Sequence, residues 1–424
     1  MSEDRRAVSW RPVIWGIGLQ LGLGLLLLSD SVSGFFYTVV DGGVKQLLAF
    51  SEEGATFVFS SIEAHMILMP GEEEPTFIVG RVSPPVKTFA FWILPTIVFF
   101  SSLMSMLYHL GVMQVIVSGL ARIMVFTLGT SGAESLSAAG NIFVGQTEAP
   151  LLIKPFVQGM TRSELMAVMT GGFATVAGGV MGAYVAFLAG VPNIAGHLVM
   201  ASIMSAPAAL ACAKLMVPET EESATAGELK VSFPKTATNV VEAAANGAAD
   251  GLKLALNVAA MLIAIVGLVA MADWVIGWVP LTECSDGFSA GYGCAAGEGA
   301  PLSLSHILGV LFAPLAFLMG VPLAECSEVG RLLGEKIVLT EFVAYIHLGE
   351  LINAEEAVLS QRSAIIASYA LCGFANFASI GIQLGGIGGI APDRMGDLAS
   401  LGFKAMWAGM LAACMTGAVA GLML

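Results

Sequence analysis

The sequence predicts an all-α polytopic membrane protein built on an inverted repeat, with two re-entrant helical hairpins and two unwound transmembrane helices. Three observations carry that reading. Of 424 residues, 56% are hydrophobic and only 12% charged, with a mean hydropathy of +0.83, whereas about a quarter of the residues of soluble domains are charged. Apolar windows close to the ~20 residues that cross a bilayer recur along the chain. A short Gly-Phe-Ala motif then occurs twice, each time in an apolar helix downstream of a Thr-Glu pair.

Five windows read as ordinary spans: 13–29, 88–111, 195–217, 254–279 and 400–424. Two more, 164–190 and 361–391, are long enough but carry clustered small residues, Gly171-Gly172 with Gly178-Gly179 in one and Gly373 to Ser379 in the other. These read as broken helices. The N-terminus, with Arg5, Arg6 and then Trp10-Arg11-Pro12, lacks the order of a cleavable signal peptide, so the first span is expected to stay. Segment 32–66 mixes apolar and acidic residues before a Pro/Glu/Gly loop at 70–75 and reads as a helix lying on the outer surface. The acidic stretch from Pro218 reads as a solvated linker whose charges bind nothing. With the N-terminus in the cytoplasm, seven crossings put the linker 218–235 inside, and the loop carrying Cys284 and Cys294 and the C-terminus outside. Twelve of the 18 basic residues then lie inside and six outside, as the positive-inside rule requires.

Composition also excludes functions. With 18 Lys+Arg against 32 Asp+Glu the formal charge is −14, which repels phosphate backbones and removes nucleic acid as a partner. The six cysteines show no C-x2-C spacing and the five histidines are scattered, so no zinc site or cofactor is expected. Hydrolase, metalloprotease and Walker A motifs are missing, which argues against an enzyme and against ATP-driven transport.

Self-comparison organises the chain. Gly172-Phe173-Ala174-Thr175-Val176-Ala177 recurs as Gly373-Phe374-Ala375-Asn376-Phe377-Ala378, and the pairs Thr147-Glu148 and Thr340-Glu341 precede the two copies. Three crossings separate the Thr-Glu pairs, so the second copy starts from the opposite face and the repeat is inverted, as in secondary transporters. Residues 131–162 are too interrupted for a straight span and too apolar for a free loop. They read as a re-entrant hairpin from the cytoplasm with its tip near Gly145 to Pro150, and 332–356 as its counterpart from outside. Four regions follow: a scaffold at 1–111, a first transport repeat at 112–217, a linker with a scaffold span and outer loop at 218–301, and a second transport repeat at 302–424.

A carboxylate held at mid-membrane costs roughly 2.5–3.5 kcal/mol on insertion scales, which makes Glu148 and Glu341 functional candidates, with Lys154 and Lys336 as counter-ions near in sequence. Gln146, Thr147, Asn376 and Ser379 add uncharged donors and acceptors, which suits a neutral polyhydroxyl or amide-bearing solute. Unwinding at Val144 and at Thr175-Val176 frees carbonyls that, with the Thr147 and Thr175 hydroxyls, suit a sodium ion. A proton on Glu148 or Glu341 is the competing coupling. The nearby Glu325 and Glu328 read as solvated helix ends.

Four stretches, 141–152 (Asn-Ile-Phe-Val-Gly-Gln-Thr-Glu-Ala-Pro-Leu-Leu), 171–180 (Gly-Gly-Phe-Ala-Thr-Val-Ala-Gly-Gly-Val), 340–345 (Thr-Glu-Phe-Val-Ala-Tyr) and 371–379 (Leu-Cys-Gly-Phe-Ala-Asn-Phe-Ala-Ser), closely resemble the concentrative nucleoside transporter family. The resemblance runs from about Ser9 to the C-terminus. It implies a homotrimer in the inner (plasma) membrane whose protomers each move a transport domain against a scaffold, importing nucleosides with sodium or, in some members, protons. Carried over, Gln146, Thr147 and Glu148 contact the base, directly or through water. Glu341, Asn376 and Ser379 hold the ribose, and Val180 and Phe374 pack on the nucleoside. The carbonyls of Asn141, Val144, Thr175 and Val176 with the Thr147 and Thr175 hydroxyls ligate sodium. Thr175 stands where some members have Ser and keeps the hydroxyl. Gly145 beside Gln146 leaves base selectivity open between uridine-like and purine nucleosides. The loop at 280–300 is richer in Gly and Cys than the family pattern, and Cys284 and Cys294 would form a disulfide in an oxidising compartment. A passive solute facilitator is the reading from another class; it would show no ion dependence.

Overall fold

The computed structural model describes residues 2–28, 30–67, 76–83, 89–227, 237–278, 302–354 and 358–424. Two helices, α1 (Trp10–Leu28) and α2 (Asp30–Phe59), lead into an antiparallel hairpin of β1 (Ser61–Ile67) and β2 (Thr76–Ser83), paired from Ser61 opposite Ser83 to Ile67 opposite Thr76. A π-helical turn (Phe89–Ile93) opens α3 (Leu94–His109), and α4 (Val112–Leu128) follows Gly111, whose φ of 85° lets the chain turn sharply.

Two similar series of elements come next. In the first, α5 (Gly132–Asn141) unwinds over 142–148 and resumes as a 3₁₀ turn (Ala149–Ile153) and α6 (Lys154–Val157). An interrupted pair, α7 (Arg162–Ala174) and α8 (Gly178–Phe187), then leads to the long α9 (Ile194–Met216). After α10 (Val240–Ile276) and α11 (Leu304–Leu318), the second runs α12 (Cys326–Val338), α13 (Glu341–Asn353), the interrupted pair α14 (Gln361–Leu371) and α15 (Phe377–Ile390), and the long α16 (Met395–Met423). Among the described residues, five helical stretches are long and apolar enough to cross a membrane: Ala90–His109, Arg162–Phe187, Ile194–Met216, Val240–Ile276 and Pro392–Met423.

Small residues set the packing. Gly16 of α1 faces Pro207 and Ala211 of α9, Gly24 faces Met423 of α16, and the buried Gln20 donates to Met204 O (3.1 Å) and Thr416 Oγ1 (2.9 Å). Helix α1 therefore runs against α9 and along α16. Gly247 and Gly251 of α10 lie directly on α3, where a Cβ would fall 2.6–2.8 Å from Ser105, Ser101 or Val98.

Helix α2 begins beside the start of α9, where Tyr37 meets His197, and ends beside the start of α3, where Phe59 and Phe91 approach with ring centroids 5.2 Å apart. Residues 61–66 differ from the expected continuous helix and form β1, because the β-branched stretch at 76–83 supplies a partner strand.

Other expectations also need correction. The helix that carries position 332, where a second hairpin was expected to open, begins at Cys326, and Glu328 is no solvated end. It is buried on α12, 3.0 Å from Arg331, which also reaches Glu335 at 2.8 Å; the guanidinium bridges one carboxylate three residues before it and another four residues after it on one face. Glu219 of the acidic linker accepts from Lys214 (3.2 Å) and Thr161 (2.9 Å), because the buried Lys214, held 2.8 Å from Glu134, draws a second carboxylate. Helices α4 and α11 belong to none of the expected spans. At 17 and 15 residues they are shorter than a straight crossing needs. Cys284, Cys294, the loop at 70–75 and linker residues 228–235 lie outside the described residues.

The two interrupted helices touch at their breaks. Gly373, at φ 116°, lies so close to the end of α7 that a Cβ would sit 2.6 Å from Phe173 O and 2.7 Å from Ala174 C. Gly373→Ala combines a left-handed backbone with that clash, so the substitution is expected to destabilise the protein by roughly 1–3 kcal/mol or more. Thermal unfolding of the purified variant in detergent checks this, and an unchanged melting temperature would contradict the crossing.

Candidate functional site

The first break belongs to α7. Its N-terminus is fixed by a capping box in which Thr161 and Glu164 exchange hydrogen bonds, as Ser131 and Glu134 do for α5. The helix ends at Thr175, whose hydroxyl donates to Gly171 O (2.8 Å) and keeps its lone pairs free. Beyond the break, the Gly178 amide donates to Phe143 O (3.0 Å), tying the unwound hairpin tip to the start of α8. Gly178 is required there, since a Cβ would lie 2.7 Å from that oxygen.

Around this break sit the expected cation ligands. Asn141, the last residue of α5, is 1% exposed, and neither Oδ1 nor Nδ2 has a hydrogen-bond partner, although a Cβ at Gly171 would lie 3.2 Å from Nδ2. Among the described residues, no backbone amide outside the helices donates to the carbonyls of Val144 or Thr175. Thr147 lies against Gly386 of α15, and Val176 is buried. The second break is closed differently: Lys336 of α12, fully buried, donates to Ala370 O (3.0 Å) and Cys372 O (3.3 Å) at the end of α14. An ammonium thus satisfies the carbonyls that a C-terminus leaves open.

The polar residues form one directed chain. Gln383 Nε2 donates to Met169 O (3.1 Å) and to Gln146 Oε1 (3.0 Å), and Gln146 Nε2 donates to Ser379 Oγ (3.1 Å). The Ser379 amide donates to Asn376 Oδ1 (2.8 Å), which makes Asn376 the N-cap of α15, and Asn376 Nδ2 donates to Glu341 Oε2 (2.8 Å). Tyr184 OH donates to Glu341 Oε1 (3.2 Å) while its ring stacks on Tyr345 at 4.2 Å. Hairpin 1, α7, α8, hairpin 2 and α15 all contribute.

The structure therefore joins Gln146, Glu341, Asn376 and Ser379 directly. Val180 is buried in the first turn of α8, and Phe374 is half-buried in the second break. Glu148 does not join: it is exposed, and its carboxylate accepts from the Gly145 amide of its own loop. Neither Glu148 nor Glu341 pairs with Lys154 or Lys336 at ion-pair distance; Lys336 donates instead to Ala370 O and Cys372 O. Gln383 and Tyr184 were not among the expected site residues. Their signal was position: Gln383 follows Ser379 by four residues on the same helical face, and Tyr184 is a hydroxyl in an otherwise apolar turn.

Comparisons with known proteins bear on this site. Residues 197–421 match the family described as "Na+ dependent nucleoside transporter C-terminus", 1–62 its N-terminus counterpart, and 90–191 a family described as "Nucleoside recognition". The chain is 42% identical over its whole length to an "Uncharacterized transporter" of Haemophilus influenzae, of which it covers 93%. This chain belongs to the concentrative nucleoside transporter family. It is also 42% identical to "Solute carrier family 28 member 3" of Mus musculus and 41% identical to "Sodium/nucleoside cotransporter 1" of the same species, spanning 56% and 61% of their lengths. Among solved structures it is similar to CNTnw in an inward-facing substrate-bound state (TM-score 0.81, 39% identity) and to a CNTnw variant in an outward-facing state (TM-score 0.84, 41% identity), covering 100% of this chain and 93% of each. The protein is accordingly a multi-pass protein of the plasma membrane, in a family of transporters and not of enzymes.

Glu341 is the acceptor on which two buried donors converge. Glu341→Gln turns one carboxylate oxygen into a donor and leaves Tyr184 or Asn376 unpaired, an expected cost of about 1–3 kcal/mol. Thermal unfolding of the purified variant tests this; a melting temperature equal to that of the unmodified protein would contradict the network.

Proposed function

We propose that this transporter is a secondary active symporter that imports uridine-like nucleosides by alternating access, driven by sodium. The observation that carries the reading is the directed hydrogen-bond chain from Gln146 to Glu341. It offers amide groups at one end, for a base, and a carboxylate with Asn376 and Ser379 at the other, for ribose hydroxyls. Thr147 completes the base end, Glu148 reaches the base through water from its place on the Gly145 amide, and Val180 and Phe374 pack on the solute. Sodium supplies the charge that the unpartnered Asn141, the Val144, Thr175 and Val176 carbonyls and the Thr147 and Thr175 hydroxyls lack. Hard oxygen ligands on unwound backbone suit that ion.

On this reading the two hairpins are re-entrant, the repeats are inverted, and regions 112–217 and 302–424 move against the scaffold of each protomer in a homotrimer. The repeated element order and the contact of the two breaks support it. Sodium orders the first hairpin tip, which completes the pocket, and the loaded domain then exchanges sides. A proton-coupled symporter is the second reading, favoured by Glu341, which is 4% exposed and forms no ion pair among the described residues.

Uptake of labelled uridine into proteoliposomes decides between them. Accumulation under an inward sodium gradient, lost in Glu341→Gln, is the expected result; accumulation under a proton gradient alone would overturn sodium coupling, and no uptake under either would overturn the substrate. Thr147 touches both shells. Thr147→Ala is expected to weaken sodium and uridine together, whereas Asn376→Ala weakens uridine far more, each lost buried hydrogen bond being worth about tenfold in apparent affinity. Sodium-dependence curves of both variants check this, and equal effects would contradict the division.

A further inference from the structure

Amide groups can face either way, and only partners that exclusively donate or accept fix them. Gln383 has such a partner. The Met169 carbonyl only accepts, so Nε2 of Gln383 must point at it (3.1 Å), and the same nitrogen is then the atom 3.0 Å from Gln146. The facing atom of Gln146 must accept, which makes it Oε1. Nε2 of Gln146 is left to face Ser379 Oγ at 3.1 Å, with its second hydrogen uncommitted. Both glutamines are buried, Gln383 at 1% exposure, and they meet because residue 172 has no side chain: a Cβ there would lie 2.7 Å from Gln383 Nε2 and 2.9 Å from Gln146 Cβ.

We propose that Gln383 is a positioning residue that sets nucleobase selectivity by locking Gln146 with its N–H toward the base. The site then takes nucleosides whose base presents a carbonyl oxygen at that edge, such as uridine, over those presenting an amino group, such as cytidine. The inference rests on the nucleoside reading above and goes beyond it in naming what selects the base. Gln383 itself stands behind Gln146 and acts through it.

Gln383→Glu is the decisive substitution. A carboxyl group carries at most one proton and cannot donate to both Met169 O and Gln146, so Gln146 turns and offers Oε1 to the base. Uptake of uridine and cytidine by the full-length protein in proteoliposomes, expressed as the ratio of their kcat/KM values, is expected to shift toward cytidine by about tenfold or more, the worth of a buried donor replaced by an acceptor. Gln383→Met, which releases Gln146 without reversing it, is expected to bring the ratio toward one. A merely structural defect lowers both nucleosides alike and leaves the ratio where it was. Unchanged ratios with uptake retained would overturn the role of Gln383, and if Gln383→Glu fails to reach the membrane, an unchanged ratio in Gln383→Met does the same. Failure of the unmodified protein to take up either nucleoside would instead overturn the nucleoside reading and this inference with it.

Discussion

In hydrocarbon there is no water to receive backbone groups that a helix leaves open, and each group left unpaired costs several kcal/mol. Two helices of this chain break nonetheless, at Thr175–Ala177 and at Cys372–Asn376, and much of the structure exists to satisfy those breaks. Gly178 donates to the first hairpin, Asn376 caps α15, and Lys336 covers the carbonyls at the end of α14. The end of α7 has no such lysine. It faces Asn141, whose amide is buried and unpartnered, whereas a resident ammonium serves the second break.

The same economy holds the first hairpin at its base. Glu134 and Glu164 each close a capping box, and each then takes a further partner, Lys214 for the one and the Ser223 and Thr225 hydroxyls of the linker for the other. Removing one member of such a buried pair leaves an uncompensated charge. The hairpin, the start of α7, the end of α9 and the linker are thereby fastened at one end of the bundle, while the tip at 142–148 is tied by the Ser202 hydroxyl donating to Ile142 O (3.0 Å), the Gly178 amide donating to Phe143 O, the Gln146 side chain and the packing of Thr147 on Gly386.

Much of this was legible in the sequence because its chemistry is local. Clustered glycines announced both breaks, and Gln146, Glu341, Asn376 and Ser379 meet in the fold as their polarity in apolar stretches implied. What was not legible depends on tertiary contact. Glu328 looks like a helix-end carboxylate until Arg331 and Glu335 are seen on the same buried face, and Gln383 is one amide in a Gly-rich apolar stretch outside the repeated motif. Glu148, which matches the family motif, turns to its own loop because the Gly145 amide is the nearest donor. Helices α4 and α11 escaped because hydropathy windows are tuned to full crossings.

On the reading proposed above, the cation end and the solute end of this site are one coupled unit, joined through Asn141 at the end of α5 and the adjoining tip that carries Gln146 and Thr147. Coupling of that kind is reciprocal by thermodynamic necessity. Isothermal titration of the purified protein with uridine, in sodium and in choline at equal ionic strength, tests it most directly. The account predicts that sodium lowers the Kd for uridine and that uridine lowers the Kd for sodium by the same factor. A uridine affinity that is identical in the two salts would contradict it.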